Sequence, residues 1–218
     1  MKNNLEILYE DNHIIVVVKP FNILSQSDDT KDIDMLTLIK SYLKEKYNKP
    51  GNVYLGLVHR LDRPTGGIMV FAKTSKAASR LSEQIRLNLF TKKYLAVVNG
   101  YLSEKSGVFE DYILKKEDNS SIISKDGKYA KLEYEVLKEK KDLSLVSILL
   151  HTGRHHQIRV QFASRNHPLY GDQRYGKASK KQLALFAYYL SFNHPVTKEK
   201  LEFIKYPDKV GIWKEFIC

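Results

Sequence analysis

Apolar and polar positions recur along this chain with periods that name most of its elements. Residues 7–9 and 14–18 read as two strands around an Asp11-Asn12 turn, closed by Lys19-Pro20. Residues 28–34 carry alternating charge and no apolar period. They predict a polar loop in which Asp28, Asp29, Asp32 and Asp34 are solvated charge. Met35, Leu36, Ile39, Tyr42 and Leu43 recur at helical spacing and predict a helix over residues 35–47. Residues 55–59 and 68–72 are apolar runs, expected as buried strands on either side of the turn RLDRPTGG. Thr74 or Ser75 then caps a helix with Ala78, Leu81, Ile85 and Leu89 on one face.

The second half is richer in strands. KKYLAVVNG (residues 92–100) is a strand ending at Gly100, and residues 115–128 are charged and polar, an exposed loop or hairpin tip. Residues 131–137 and 143–150 alternate like paired strands. HTGRHHQIRVQFASRNHP opens on a Thr-Gly turn and reads as a helix with Ile158 and Phe162 on one side, ended by His167-Pro168. Strands around residues 185–192 and 201–204 follow. Many strands with few helices predict an α+β fold on one extended, mainly antiparallel sheet. With no internal repeat and 218 residues, a single domain over 1–218 is expected.

Net charge changes the picture. A formal +11 points to a polyanionic partner, most often nucleic acid. The single cysteine, Cys218, is the last residue, so no intramolecular disulfide forms and a reducing, cytoplasmic setting is expected. The longest apolar run, residues 14–18, is far too short for a membrane span, and no signal-like segment follows Met1.

The arginines are placed unevenly. Of 36 basic side chains eight are arginine; Arg60 and Arg63 flank Asp62, and Arg154, Arg159, Arg165 and Arg174 fall in a second short stretch. In a lysine-biased chain, arginine marks places where a planar fork is needed, to pair a carboxylate or grip a phosphate. Asp62 lies on a turn between two buried strands, where a side chain is held rigidly; the plainer reading has it satisfy backbone donors in that turn. Glu110 and Asp111 are adjacent, point to opposite strand faces and make a poor acid/base pair. His151, His155 and His156 invite a metal reading. No Glu or Asp occurs from 143 to 171 to complete one, and neighbouring arginines repel a cation, so no metal is expected. The better reading of that stretch is an anion-binding helix start, with Thr152 as cap, Gly153 for backbone approach and Arg154 for a phosphate. Arg159 lies among apolar neighbours and needs a carboxylate, for which Asp62 is the obvious candidate. Tyr94 shares a strand face with Lys92, Ala96 and Val98. One of fourteen tyrosines, it is either packing or cleft-facing.

VHRLDRPTGGIMVFAKT resembles the HRLD-x-x-T-S-G signature of the RluA-type pseudouridine synthases. KKYLAVVNG is similar to their K-x-Y-x-A-x-V-x-G strand. HTGRHHQIR and HPLYGDQRYG are similar to their T-G-R-x-H-Q-I-R and H-P-x-x-G-D-x-x-Y-G motifs. YEDNHIIVVVKP resembles the first strand pair, and LALFAYYLSFNHP the L-x-L-H-A segment. The motifs run in the family's order from about residue 8 to 207. Gly66 stands where the signature has serine, and Phe186 where a histidine is frequent. The first strand begins near residue 5, so the resemblance is to the catalytic domain without the S4 domain that precedes it in some relatives.

The resemblance implies the pseudouridine synthase fold, a mixed sheet with a catalytic cleft across its middle and flanking helices. It implies an isomerase that converts specific uridines of rRNA or tRNA to pseudouridine, without cofactor or metal. Asp62 would be the essential catalytic aspartate, as nucleophile or as the base that starts glycal formation. Arg159 would be its salt-bridge partner, and Tyr94 would stack on the target base. Arg60, Arg63, Arg154, His156, Gln157 and Arg165 are the expected RNA contacts. The expected substrate is a stem-loop bound by a monomer. The competing reading is a catalytically idle RNA-binding or RNA-chaperone protein on the same fold; a nuclease would want clustered carboxylates for Mg²⁺.

Overall fold

Strands β1 (Ile7–Glu10) and β2 (Ile14–Lys19) pair antiparallel across a turn tied by Asp11, whose Oδ1 accepts from the amides of His13 (2.7 Å) and Ile14 (2.8 Å). The protein is seen here as a computed structural model that describes residues 5–30, 32–178 and 180–217. Cys218, on which the expected redox setting rested, lies outside the described residues. Next come α1 (Met35–Lys46), β3 (Gly56–Leu57), β4 (Gly66–Ala72), α2 (Ser75–Arg86), β5 (Thr91–Asn99), β6 (Ser106–Lys115) and β7 (Ser121–Ile123). The chain continues through β8 (Lys128–Lys140), β9 (Leu143–Leu150), α3 (Gln157–Ala163), β10 (Leu185–Asn193) and β11 (Lys200–Ile204), then one 3-10 turn, Gly211–Glu215. The ladders β1–β2, β2–β4, β3–β4, β5–β9, β6–β7, β6–β8, β8–β9 and β10–β11 are all antiparallel, as expected for this α+β class.

The chain groups into two compact units, one of residues up to Phe90 with Tyr189–Lys205, the other of Thr91–Tyr188 with the C-terminal segment from Tyr206. In the first unit every residue of β2 and β4 is buried, and apart from Lys19 both read as continuous apolar runs. One face of each supplies Ile14, Val16, Ile68, Val70 and Ala72 to a core shared with Ala77 and Leu81 of α2, Phe90, and Leu190 and Phe192. Phe90 and Phe192 stack at 5.1 Å between ring centroids. Leu81 is fully buried there, and truncating such a leucine to alanine costs about 2–5 kcal/mol. Thr74 caps α2 through the Ala77 amide at 3.2 Å. The helix stops at Arg86, so Leu89, expected on its apolar face, is instead half exposed. Asp34 also departs from expectation. It is buried and caps α1, accepting from the Thr37 amide (3.1 Å) and hydroxyl (2.7 Å).

The second unit orders its strands β5-β9-β8-β6-β7. Phe162 of α3 packs edge-on against Phe109 of β6 (5.0 Å) and Tyr134 of β8 (5.7 Å), which fixes the helix to the sheet. Strand β6, expected only as the strand that holds Glu110 and Asp111 on opposite faces, has no bounds legible in the sequence. Only Phe109 and Ile113 of its ten residues are buried, so its apolar alternation is too sparse to stand out. Residues 115–128, expected as an exposed loop or hairpin tip, contain the short strand β7, which pairs antiparallel with β6. The turn expected at the start of the segment from His151 is longer than the Thr-Gly pair. α3 starts only at Gln157, after His156 in a left-handed conformation (φ 54°).

Candidate active site

Asp62 sits, half-buried, on the turn between β3 and β4, and its carbonyl accepts from the Thr65 amide at 2.9 Å. The turn is fastened from several sides. Ser25 Oγ accepts from the Leu61 amide (3.1 Å) and donates to the Leu61 carbonyl (2.7 Å), pinning the residue before Asp62. Lys19 Nζ donates to the carbonyls of Arg63 (3.1 Å) and Pro20 (3.0 Å), pinning the residue after it. Arg63 Nη2 pairs with Asp32 at 2.8 Å, and His59 Nε2 accepts from the Val70 amide at 3.1 Å. Gly67, at φ 126°, takes a backbone conformation that favours glycine where the chain turns into β4. The Thr65 hydroxyl is buried with no hydrogen-bond partner among the described residues.

Lys19 is wholly buried at the end of β2, and burial pushes its ammonium down to about pH 7. The Asp62 carboxylate opposes that shift, and the Arg63 cation adds to it. A buried lysine that readily gives up its proton thus sits under the Asp62 turn.

In the second unit Tyr94 lies on β5, 7% exposed, opposite Ile148 of β9. Arg159, in the middle of α3, is 6% exposed. Its Nε donates to Asp172 Oδ2 and its Nη2 to Asp172 Oδ1, both at 2.8 Å, a bidentate fork. Asp172 Oδ1 also accepts from the amides of Arg174 (2.9 Å) and Tyr175 (3.1 Å). Burial alone would raise the Asp172 carboxyl, but the Arg159 fork and the two amides hold it below its ordinary value. The Arg159 guanidinium lies 5.2 Å from the Tyr175 ring centroid. Tyr175 accepts from the Ser121 amide (2.7 Å) and bonds His156 Nδ1 (2.8 Å). His155 stacks on His156 at 3.8 Å and bonds Ser121 Oγ through Nδ1, while His151 Nε2 meets Glu133 at 2.8 Å.

A family model described as RNA pseudouridylate synthase matches residues 13–164. The chain belongs to the RNA pseudouridylate synthase family. It is 35% identical over 215 residues to an uncharacterized RNA pseudouridine synthase of Aquifex aeolicus, covering 91% of this chain and 68% of that one. It is 32% identical over 219 residues to ribosomal large subunit pseudouridine synthase C of Buchnera aphidicola, covering 93% and 68%. The solved human RNA pseudouridylate synthase domain containing 4 superposes with a TM-score of 0.79 at 22% identity, over 94% of this chain and 89% of that one, which shows the shared fold. The RluA-type resemblance and the isomerase class read from the motifs therefore hold: this is an RNA pseudouridine synthase.

In this synthase several expected contacts have partners that spacing did not reveal. Arg159 has a buried partner in Asp172, an acid that the sequence pattern does not single out. The anion-binding helix start gives way to a tied turn. Thr152 Oγ1 (2.8 Å) and the Arg154 amide (3.0 Å) both donate to Gln157 Oε1, and Gln157 Nε2 donates to the Lys131 carbonyl (3.1 Å). Gln157 is thereby buried and spent on the turn. Arg165 is spent on Asp111 (3.0 Å) and on the face of Phe109 (4.1 Å). Arg60 is exposed with no partner among the described residues, and Arg154 is exposed with its Nε on the Tyr129 carbonyl (2.7 Å). Lys19 and Asp172 are the two residues that the motif reading passed over, although each stands inside a quoted motif.

Proposed function

We propose that this synthase isomerises a specific uridine within a structured element of rRNA or tRNA, with Asp62 as the essential catalytic residue. In that reaction the N1–C1′ bond breaks and a C5–C1′ bond forms; C5 gives up its proton and N1 gains one. Oxidation state is unchanged and no group donor is consumed. Asp62 attacks the nucleotide or removes the proton that starts glycal formation. Arg159 keeps the carboxylate ionised and oriented, and Tyr94 offers a flat face to the flipped base. Arg60, Arg63, Arg154 and His156 are the proposed RNA contacts, with residues 1–218 acting as one catalytic domain and as a monomer. Reaching C1′ of a paired uridine costs a few kcal/mol of unstacking, which a chain of net charge +11 offsets through phosphate contacts.

The observation that carries this reading is the fastening of the Asp62 turn. A carboxylate whose flanking residues are pinned by Ser25 and by buried Lys19 is held as a reacting group must be, at a cost that a solvent-exposed turn has no reason to bear. The test is tritium release from RNA labelled at uridine C5, run on rRNA and tRNA transcripts. Release from a defined position supports the reading. Tight binding without release from any transcript favours the idle RNA-binding protein instead.

A further inference from the structure

Lys92 opens the K-x-Y stretch of β5, and no part of the reaction described above uses it. Its side chain is half-buried, and among the described residues its ammonium meets no carboxylate and no hydrogen-bond acceptor. Burial pushes its pKa below the ordinary lysine value with no opposing anion. A desolvated, unpaired cation destabilises the protein that carries it, so its position calls for a ligand that restores the lost interaction.

Gly153 stands next to it. A Cβ placed on Gly153 would meet only Lys92 Nζ, at 3.9 Å, an ordinary contact. The backbone there does not adopt the left-handed conformation that favours glycine. Neither packing nor backbone geometry within the chain therefore requires a glycine. Its missing side chain leaves an exposed opening beside the Lys92 ammonium. The Gly153 amide has no acceptor among the described residues, whereas its neighbours do: the Thr152 amide donates to the Lys131 carbonyl and the Arg154 amide to Gln157.

We propose that Lys92 Nζ and the Gly153 backbone form a binding site for one phosphate of the RNA backbone. The ammonium supplies the charge, the amide a directed hydrogen bond, and the absent Cβ the room for a phosphate oxygen to approach. The two donors come from separate elements, β5 and the turn that follows β9, so each checks the other. The site rests on RNA being the substrate, and adds a phosphate contact on the strand that carries Tyr94.

The experiment uses the full chain and a short fluorescein-labelled RNA stem-loop, with affinity measured by anisotropy across a salt series. Lys92→Met is expected to raise Kd about five- to tenfold near 0.1 M salt and to flatten the log Kd against log salt slope by about 0.7–0.9. Lys92→Arg is expected to keep the wild-type slope. Gly153→Ala is expected to raise Kd with Tm unchanged, because its Cβ fits the free protein. The melting temperature of Lys92→Met is expected to equal or exceed that of wild type, since a desolvated charge has been removed. A wild-type Kd and slope in Lys92→Met overturns the inference. So does a lowered Tm in that variant, which would give Lys92 a structural role. Tritium release by the wild type is scored separately: its absence on every RNA counts against the synthase reading, while a changed salt slope in Lys92→Met would still stand for the phosphate site.

Discussion

Arg159 and Asp172 meet edge to edge, two parallel hydrogen bonds of 2.8 Å between side chains that are 7% and 0% exposed. Breaking one partner of such a buried pair leaves the other charge stranded. Asp172→Asn keeps the shape and removes the charge, so it is expected to destabilise the fold by about 3–5 kcal/mol in urea unfolding and to lower activity by releasing Arg159. Arg159→Ala should cost about as much, and the double variant little more than either alone. Additive losses would show that the two side chains act independently.

Glu10 makes the first unit sensitive to acid. Burial by itself would raise its carboxyl, yet hydrogen bonds from Lys46, Lys73, Tyr47 and Tyr42 outweigh that and pull it down to about 2. A carboxyl depressed in the folded state contributes its stability above the unfolded value near 4.5, and loses it as pH falls from there toward 2. That is about 3 kcal/mol for a shift of this size. Glu10→Gln should be less stable by about that amount at pH 7 and should lack this part of the acid dependence. A variant as stable as wild type at pH 7 would remove Glu10 from the account.

Lys19 works in the opposite direction. Its folded pKa is near 7 and its unfolded value near the ordinary lysine one, about 10.4. Between these the unfolded chain holds a proton that the folded chain has lost, so stability rises with pH across that window. Below it the dependence vanishes, because both states are protonated. The expected contribution is at most one proton, about 1.4 kcal/mol per pH unit. Lys19→Met should abolish it in unfolding curves taken from pH 7 to 10. A wild-type slope in that variant would assign the proton to another group.

Tyr94→Phe keeps the ring and deletes only the hydroxyl. The variant is expected to bind RNA as wild type does and to form product much more slowly, with Tyr94→Leu worse in both respects. Wild-type rates in single-turnover assays of both variants would make Tyr94 a packing residue of β5.

Much of the fold could be read from the chain because its strongest signals are local. The unbroken apolar runs of β2 and β4 and the capped, periodic helices α1 and α2 carry their own boundaries to within a few residues. Strand β6 could not, because its register is fixed by β8 and only two of its side chains reach the core. The Asp62 turn announced itself by composition, two arginines around an acid before Pro-Thr-Gly-Gly. The clamps on that turn come from Lys19 and Ser25, 44 and 36 residues away along the chain, distances over which no period operates. Asp172 was hidden for the same reason. It looks like an ordinary loop acid, and only the folded chain brings it to Arg159, 13 residues earlier.

We propose Asp62 as the residue through which this synthase makes pseudouridine. Asp62→Asn tests it most directly, in a single-turnover assay of tritium release from C5-labelled RNA with excess enzyme. Release is expected from the wild type and none from the variant, while Tm and RNA affinity stay close to wild type, because only the charge and basicity of one side chain are lost. Substantial release by a folded, RNA-binding Asp62→Asn would contradict it.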